Sequence, residues 1–389
     1  MAPNDSTETT ERTTGRASRK MSRYVVPVAV AGVAAATIGL VPALAASGDP
    51  KLPEITAQEL VEKIAASDTQ TVSGTFKIST DLGLPSIAGL AEGLAGGGPG
   101  TSSADPQDKL TELVSGTHTL RVAADGPDRQ KLTVLDGSDE YSLIHNGADV
   151  WAYDSKSNEV HHEKTETGGA KEEKKLPSTP KEMADEILKA ADGTTSITVG
   201  GTAKVAGRDA YQLVIKPKQS GSTVESVKVA VDAENGVPLK FTLASTAGGK
   251  PVVDAGFTKV DFGRPAASTF DFKAPKGAKV TEGGGSAKHG KPADELEKGL
   301  ADFSGMNVIG EGWTTIATLD TGAPAPKTDE APAEVKGFLD ALGDKVSGEF
   351  GSGTVFKTKL VNALMTDDGK VYVGAVTQDA LVDAANAAK

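Results

Sequence analysis

His161-His162-Glu163 is the densest grouping of side chains in the chain that could bind a metal or move a proton. Adjacent residues on a strand point to opposite faces, so two neighbouring imidazoles cannot easily share an ion. The triplet opens a charged stretch and reads as a solvated edge. His145 stands beside Asn146-Gly147 and reads as a turn residue; the chain has only five histidines. Asp367-Asp368 runs into Gly369, which is tight-turn chemistry rather than an acid–base pair. Gly310-Glu-Gly-Trp313 starts like a dinucleotide loop, but Thr315 stands where the third glycine belongs. Gly249-Lys250 and Gly290-Lys291 both run into proline, so neither is a phosphate-binding loop, and no Gly-x-Ser-x-Gly elbow occurs. With no cysteine, thiolate zinc sites, a thiol nucleophile, disulfides and an acylated lipobox are all excluded. No catalytic residue, metal ligand or cofactor is expected, and the sequence does not read as an enzyme.

What remains is apolar patterning. The 389 residues are long enough for two domains with real cores, and 38% hydrophobic with 24% charged residues is ordinary for such a chain. Aromatics make up only 4%, so any core is mostly Val, Leu, Ile and Ala. A net charge of −12 argues against a nucleic-acid partner, because phosphate binding needs a basic face. It also disfavours broad adhesion to anionic lipid surfaces.

The stretch from Val224 to Val280 organises the rest. Val227, Val229 and Val231 alternate with polar residues, as do Phe241 and Leu243, which is the period of strands with two unlike faces. Asn235-Gly236 supplies a hairpin turn, and Ala247-Gly-Gly-Lys250 supplies a second break before Val252 to Phe262. The result is an antiparallel meander.

Upstream, Thr56-Ala-Gln-Glu59 is a capping box opening a helix with Leu60, Val61 and Ile64 on one side. Val72 to Ile78 alternates as a strand, with Val72, Phe76 and Ile78 together. Ile87, Leu90 and Leu94 recur at helical spacing, but Gly89 and Gly93 cost such a helix about 1 kcal/mol each, which predicts a loose flap. His118 to Val122, Gln130 to Val134 and Glu140 to His145 follow as strands. Pairing His145 with Ala148 puts Leu143 opposite Val150 and Tyr141 opposite Ala152, with Ile144, Trp151 and Tyr153 on the other face. A ribbon apolar on both sides suits a sheet curled round a cavity better than one wetted on one face. Asp154 to Lys175 reads as a solvated loop. Thr179-Pro-Lys-Glu182 is a second capping box, and its helix carries Met183, Ile187, Leu188 and Ala191 on one side. Ile197 to Val199, Lys204 to Ala206 and Tyr211 to Lys216 then lead into the meander. An apolar face of this kind serves equally well as plain core or as the wall of a cavity.

The two ends differ from this body. Residues 1–23 form a polar leader, basic at Arg12, Arg16, Arg19, Lys20 and Arg23 and without apolar periodicity. Residues 24–46 are apolar, uncharged and run out through Pro42-Ala-Leu-Ala-Ala-Ser47, which reads as a signal peptide cut after Ala45 or as an uncleaved membrane anchor. Either way the remainder is exported across the cytoplasmic membrane, secreted or anchored facing outside. Residues 281–295 are a Gly-rich linker predicted to let the flanking units fold separately. Residues 296–389 form a small C-terminal α+β domain. Strand character is expected at Val308 to Leu319, a helix over Ala333 to Leu342, and pairing of Thr354 to Leu364 with Lys370 to Val376 through Thr-Asp-Asp-Gly. A last helix covers Gln378 to Ala388.

Several motifs carry a resemblance. Gly236-Val-Pro-Leu-Lys240 after an acidic turn, then Phe257-Thr-Lys-Val-Asp-Phe-Gly263, then Phe270-Asp-Phe-Lys-Ala-Pro-Lys-Gly-Ala278 resemble the end of a LolA-like domain. That superfamily includes the outer-membrane lipoprotein carriers and the MucB/RseB sigma-factor regulators. Gly369 to Leu381 resembles the strand-then-helix close of the MucB/RseB C-terminal domain. The resemblance implies an α+β fold: a LolA-like unclosed antiparallel β-barrel with a helical lid over residues 54–280. The apolar cavity of such a barrel would be lined by Phe76, Ile78, Leu120, Leu143, Val150, Leu213, Phe241 and Leu243. Its lid would carry Ile87, Leu90, Leu94, Met183, Ile187 and Leu188. The carriers keep an arginine inside the barrel that gates the lid; Arg121 lies on a strand here, but the motifs do not align it with that role. Two functions follow from the resemblance: an exported carrier holding the acyl chain of a lipid or lipoprotein, or a MucB/RseB-type regulator gripping a membrane-bound anti-sigma factor.

Overall fold

The computed structural model describes residues 49–83, 116–164, 184–185, 188–189, 191, 193–282, 306–321 and 343–388. The signal or anchor segment, the flap residues Ile87, Leu90 and Leu94, the lid residues Met183 and Ile187, and the helix expected over Ala333 to Leu342 lie outside them. Among the described residues no helix is long and apolar enough to cross a membrane.

Two sheets dominate the described residues. The first takes β1 (Thr71–Thr80), β2 (Gly116–Asp125), β3 (Arg129–Asp136), β4 (Asp139–Asn146), β5 (Asp149–Asp154) and β6 (Glu159–Lys164). It continues with β7 (Thr195–Val205), β8 (Arg208–Pro217), β9 (Val224–Asp232), β10 (Pro238–Ser245), β11 (Val253–Asp261) and β12 (Lys279–Glu282). These twelve strands lie in the order β12-β6-β5-β4-β3-β2-β1-β11-β10-β9-β8-β7. All neighbours run antiparallel except β12, which lies parallel to β6. The sheet is open and mostly a meander, with β1 and β11 joining its two halves.

The second sheet has six strands: β13 (Met306–Ile309), β14 (Ile316–Asp320), β15 (Gly343–Gly348), β16 (Gly351–Phe356), β17 (Asn362–Thr366) and β18 (Lys370–Gly374). Its order is β13-β14-β18-β17-β16-β15. The run Val308 to Leu319, expected as one strand, is two, broken by a 3-10 turn at Gly312–Thr314. Thr354 to Leu364 likewise divides into β16 and β17, and Asp367-Asp368-Gly369 turns β17 into β18. Helix α2 (Gln378–Ala387) closes this sheet, burying Leu381, Ala384 and Ala385 with Ile316, Val355, Leu364, Tyr372 and Val376.

Helix α1 (Ala57–Ala65) starts where its capping box places it. The Thr56 hydroxyl accepts from the Glu59 amide at 3.1 Å, and the Glu59 carboxylate accepts from the Thr56 amide at 2.7 Å. Those bonds hold the Glu59 carboxyl below its usual range. The helix buries Leu60 and Val61 against Tyr211, Leu213 and Val231, each such side chain contributing about 2 kcal/mol.

Three readings need correction. The β4–β5 hairpin turns on Gly147-Ala148 with Asn146 opposite Asp149, so Leu143 faces Ala152 and His145 faces Val150. A slip of two residues leaves every side chain on its expected face, because the strand period is two. Residues 159–164 form β6 rather than a solvated loop. Ile197 to Val199 and Lys204 to Val205 belong to the single strand β7, with Ala206 in the turn after it, and its pairing shifts between Val199 and Thr202, where Gly200 and Gly201 sit.

The two sheets meet through backbone and hydroxyl groups. Ser222 bridges to Val376, the Thr223 amide donates to the Ala375 carbonyl at 3.0 Å, and the Thr377 amide donates to Gly221 at 2.7 Å. Hydroxyls of Thr223 and Ser245 donate to the carbonyls of Leu360 and Lys359. The Trp313 indole donates to Thr195 at 2.7 Å.

Candidate functional site

Residues directly opposite in a ladder share a face, as do residues two apart on one strand. One such row runs Ile78, Ala255, Phe241, Val229, Leu213 and Val199 across six strands. Phe76 lies on the same face, paired with Leu120 on one side and Phe257 on the other. The Phe76 and Phe257 rings meet edge-on, 5.0 Å between centroids. Leu120 continues to Val134 and Tyr141, which brings in Leu143, Val150 and Ala152. Leu243 stands two residues from Phe241. All eight residues expected to line a cavity therefore share one face of one sheet.

That face is covered unevenly. Toward β7 and β8 it lies under α1, and Leu213 and Tyr211 are buried with Leu60, Val61 and Ala184. Ala184 and Leu188 are helical, and Leu188 is half-buried. The Gln58 side chain reaches Asp185 at 3.0 Å, tying the two helical segments together. Toward β10 the cover thins, and Phe241 is 38% exposed. Between β1 and β4 an apolar groove of about 320 Å³ is lined by Val72, Val122, Ala124, Leu132, Leu143 and His145.

The opposite face carries Ile144, Trp151 and Tyr153, as the alternation implies. It is crossed by the segment after β11, which works as a strap. Arg264 reaches Asp125 at 3.0 Å, Phe270 is fully buried, and Phe272 packs on Trp151 and Tyr153 with centroids 5.4 and 5.9 Å apart. The strap ends as β12 on the edge of β6. The Phe270-to-Ala278 motif is therefore more than an exit from the sheet.

His162 is not part of a solvated edge. It is 6% exposed and stacks on Trp151 with centroids 3.6 Å apart. Its Nδ1 lies 2.7 Å from Glu282 Oε2 and its Nε2 lies 2.8 Å from Asp149 Oδ1. The carboxylates sit at opposite ends of the ring, so they do not converge on an ion. Among the described residues no group of His, Asp or Glu could hold a metal. Sequence reasoning missed this site because its third member arrives from a strand 120 residues away.

A second charged site closes the β7–β8 turn. Arg208 pairs through two nitrogens with Asp232, which is fully buried, and reaches Glu234 at 2.9 Å. Burial pushes the Asp232 carboxyl up, but Arg208 and the amides of Asn235 and Glu234 outweigh it and hold it below the usual range. The arrangement is structural: both oxygens of Asp232 are occupied by local donors.

Residues 111–274 match the MucB/RseB N-terminal domain family. None of the curated proteins matches the chain. Among solved structures, the Pseudomonas aeruginosa MucA/MucB complex is 14% identical, with 85% of this chain and 96% of that one covered and a TM-score of 0.38. An uncharacterized conserved protein from Thermus thermophilus is 12% identical, covering 58% and 99%, with a TM-score of 0.31. A LolA superfamily protein from Nitrosomonas europaea is 11% identical, covering 56% and 99%, with a TM-score of 0.21. The match over residues 111–274 takes in the motifs from Gly236 to Gly263, so this stretch of the chain is similar to the MucB/RseB N-terminal domain.

Proposed function

We propose that this protein is an exported binder that holds the acyl chain of a lipid or lipoprotein against the apolar face of its twelve-stranded sheet. The observation that supports it is the continuity of that face, from Leu143 through Phe76 to Leu213, with Phe241 left 38% exposed. Exposed apolar surface costs roughly 25 cal/mol per Å², so an acyl chain seated there offsets a cost the chain alone leaves unmet. Native mass spectrometry of protein purified without detergent tests the reading. A co-purifying lipid, displaced by a fluorescent fatty acid, is the expected result. Apo protein that binds no apolar probe would sink it.

Two observations favour a second reading. The matched family is that of MucB/RseB rather than of the carriers, and a second sheet is docked on the first, as a two-lobed grip on a protein would require. In that reading the partner is a membrane-bound anti-sigma factor. Capture of one membrane protein from the native envelope, with no lipid bound, would favour the regulator over the carrier.

A further inference from the structure

The strap ends at a residue that needs a proton to make both of its contacts. A neutral imidazole has one N–H donor and one bare acceptor nitrogen. His162 faces a carboxylate oxygen at each nitrogen, at 2.7 and 2.8 Å. Only the imidazolium can donate to both, and charge-assisted bonds of that length are the strong kind. Loss of the proton leaves a lone pair against a carboxylate, and one contact must open.

Which contact opens follows from the strands. Asp149 is held by β5, whose ladder to β6 runs over six residue pairs. Glu282 is the last residue of β12, which has four exposed residues and pairs with β6 alone. We propose that His162, Asp149 and Glu282 form a proton-dependent latch that fastens the strap when His162 is charged and releases its β12 end when it is not. This goes beyond acyl binding and does not depend on it.

The other charged groups nearby do not replace the proton. On β6, His161 and Glu163 alternate to the opposite face, while Lys164 lies opposite Asp149 in the ladder. On β12, Lys279 is paired with Glu159 at 2.9 Å. On β4, the residue opposite Asp149 is Asn146, which carries no charge. Trp151 covers one flat side of the ring and is itself packed against Phe272 of the strap. Release of β12 would therefore bare the β6 edge and loosen the cover over Trp151. Protonation decides whether both carboxylate contacts can be made at once, so the latch would answer to the pH around the protein.

Trp151 reports directly, because the chain has only one other tryptophan. In the full chain carrying Trp313→Phe, acrylamide quenching of Trp151 is measured from about pH 5 to about pH 9, bracketing imidazole titration, with far-UV circular dichroism as the check on folding. The expected result is a shielded Trp151 at the acid end and a stepwise rise in quenching as pH increases. The closed-to-open ratio should shift about tenfold, the worth of one charge-assisted hydrogen bond. His162→Gln should abolish the step. Glu282→Gln should do so as well without threatening the fold, because an amide can pair with either form of the ring. A flat profile in the parent, or a step that survives both substitutions, overturns the latch.

Discussion

Lys359 Nζ lies 2.6 Å from Asp81 Oδ2, and the Lys359 amide donates to the Leu82 carbonyl at 2.9 Å. One residue of the loop between β16 and β17 thus grips the exit of β1 by both side chain and backbone. The Lys359 ammonium, with the Gly83 amide, holds the Asp81 carboxyl below its usual range. A depressed carboxyl contributes stability fully above the unfolded value of about 3.9 and loses it as pH falls through the folded value. Asp81→Asn should therefore lower the melting temperature at neutral pH and flatten its decline below about pH 4. Parallel melts of parent and variant across that range check it. The pair is accessible to solvent, so added salt should shrink the difference.

Asp232 makes a second prediction. It is fully buried and accepts from Arg208 and from the amides of Glu234 and Asn235. Asp232→Ala strands a guanidinium and two amides, so about 3 kcal/mol of stability should be lost. Urea unfolding gives the number. A loss below about 1 kcal/mol would mean that water replaces the carboxylate easily.

The faces of the large sheet were legible because period-two alternation is a local property. Even the misplaced β4–β5 turn moved Leu143 and Val150 by two residues and left both on their expected face. What could not be read was set by distant partners. Glu159 to Lys164 carries one apolar residue, Val160, and is a strand because β5 lies on one side and β12 on the other. His162 looked like a solvated residue because Glu282 is far off in sequence. Gly200-Gly201 looked like a strand break and is a bulge, since a ladder on β8 resumes beyond it.

Gly74 marks a place where backbone approaches backbone. A Cβ there would lie 2.1 Å from the Lys259 carbonyl oxygen, next to the irregularity where β1 passes β11. Neither neighbour is the end of a flexible side chain, so Gly74→Ala must displace a strand. Its cost should be about 2 kcal/mol, typical of overpacking. The urea midpoint should fall with the slope unchanged. An unchanged midpoint would show that the join between the two halves of the sheet yields freely.

The apolar face can be tested against its own reverse side. Phe241 points to it and is 38% exposed, while Thr242, the next residue on β10, points away. Because Phe241 is already partly open to water, Phe241→Asp should leave the fold intact, with about 1 kcal/mol of stability lost. It should weaken binding of a fluorescent fatty acid by about tenfold or more, equivalent to roughly 1.4 kcal/mol of apolar contact. Thr242→Asp adds the same charge one residue along and should leave affinity within about a factor of two, as expected for a site the ligand does not touch. Titrations of both variants, with circular dichroism to confirm folding, separate the cases. Equal losses would mean that charge anywhere on β10 repels the probe. No loss in either would place the acyl chain off this face, and the anti-sigma reading would then be the one to pursue.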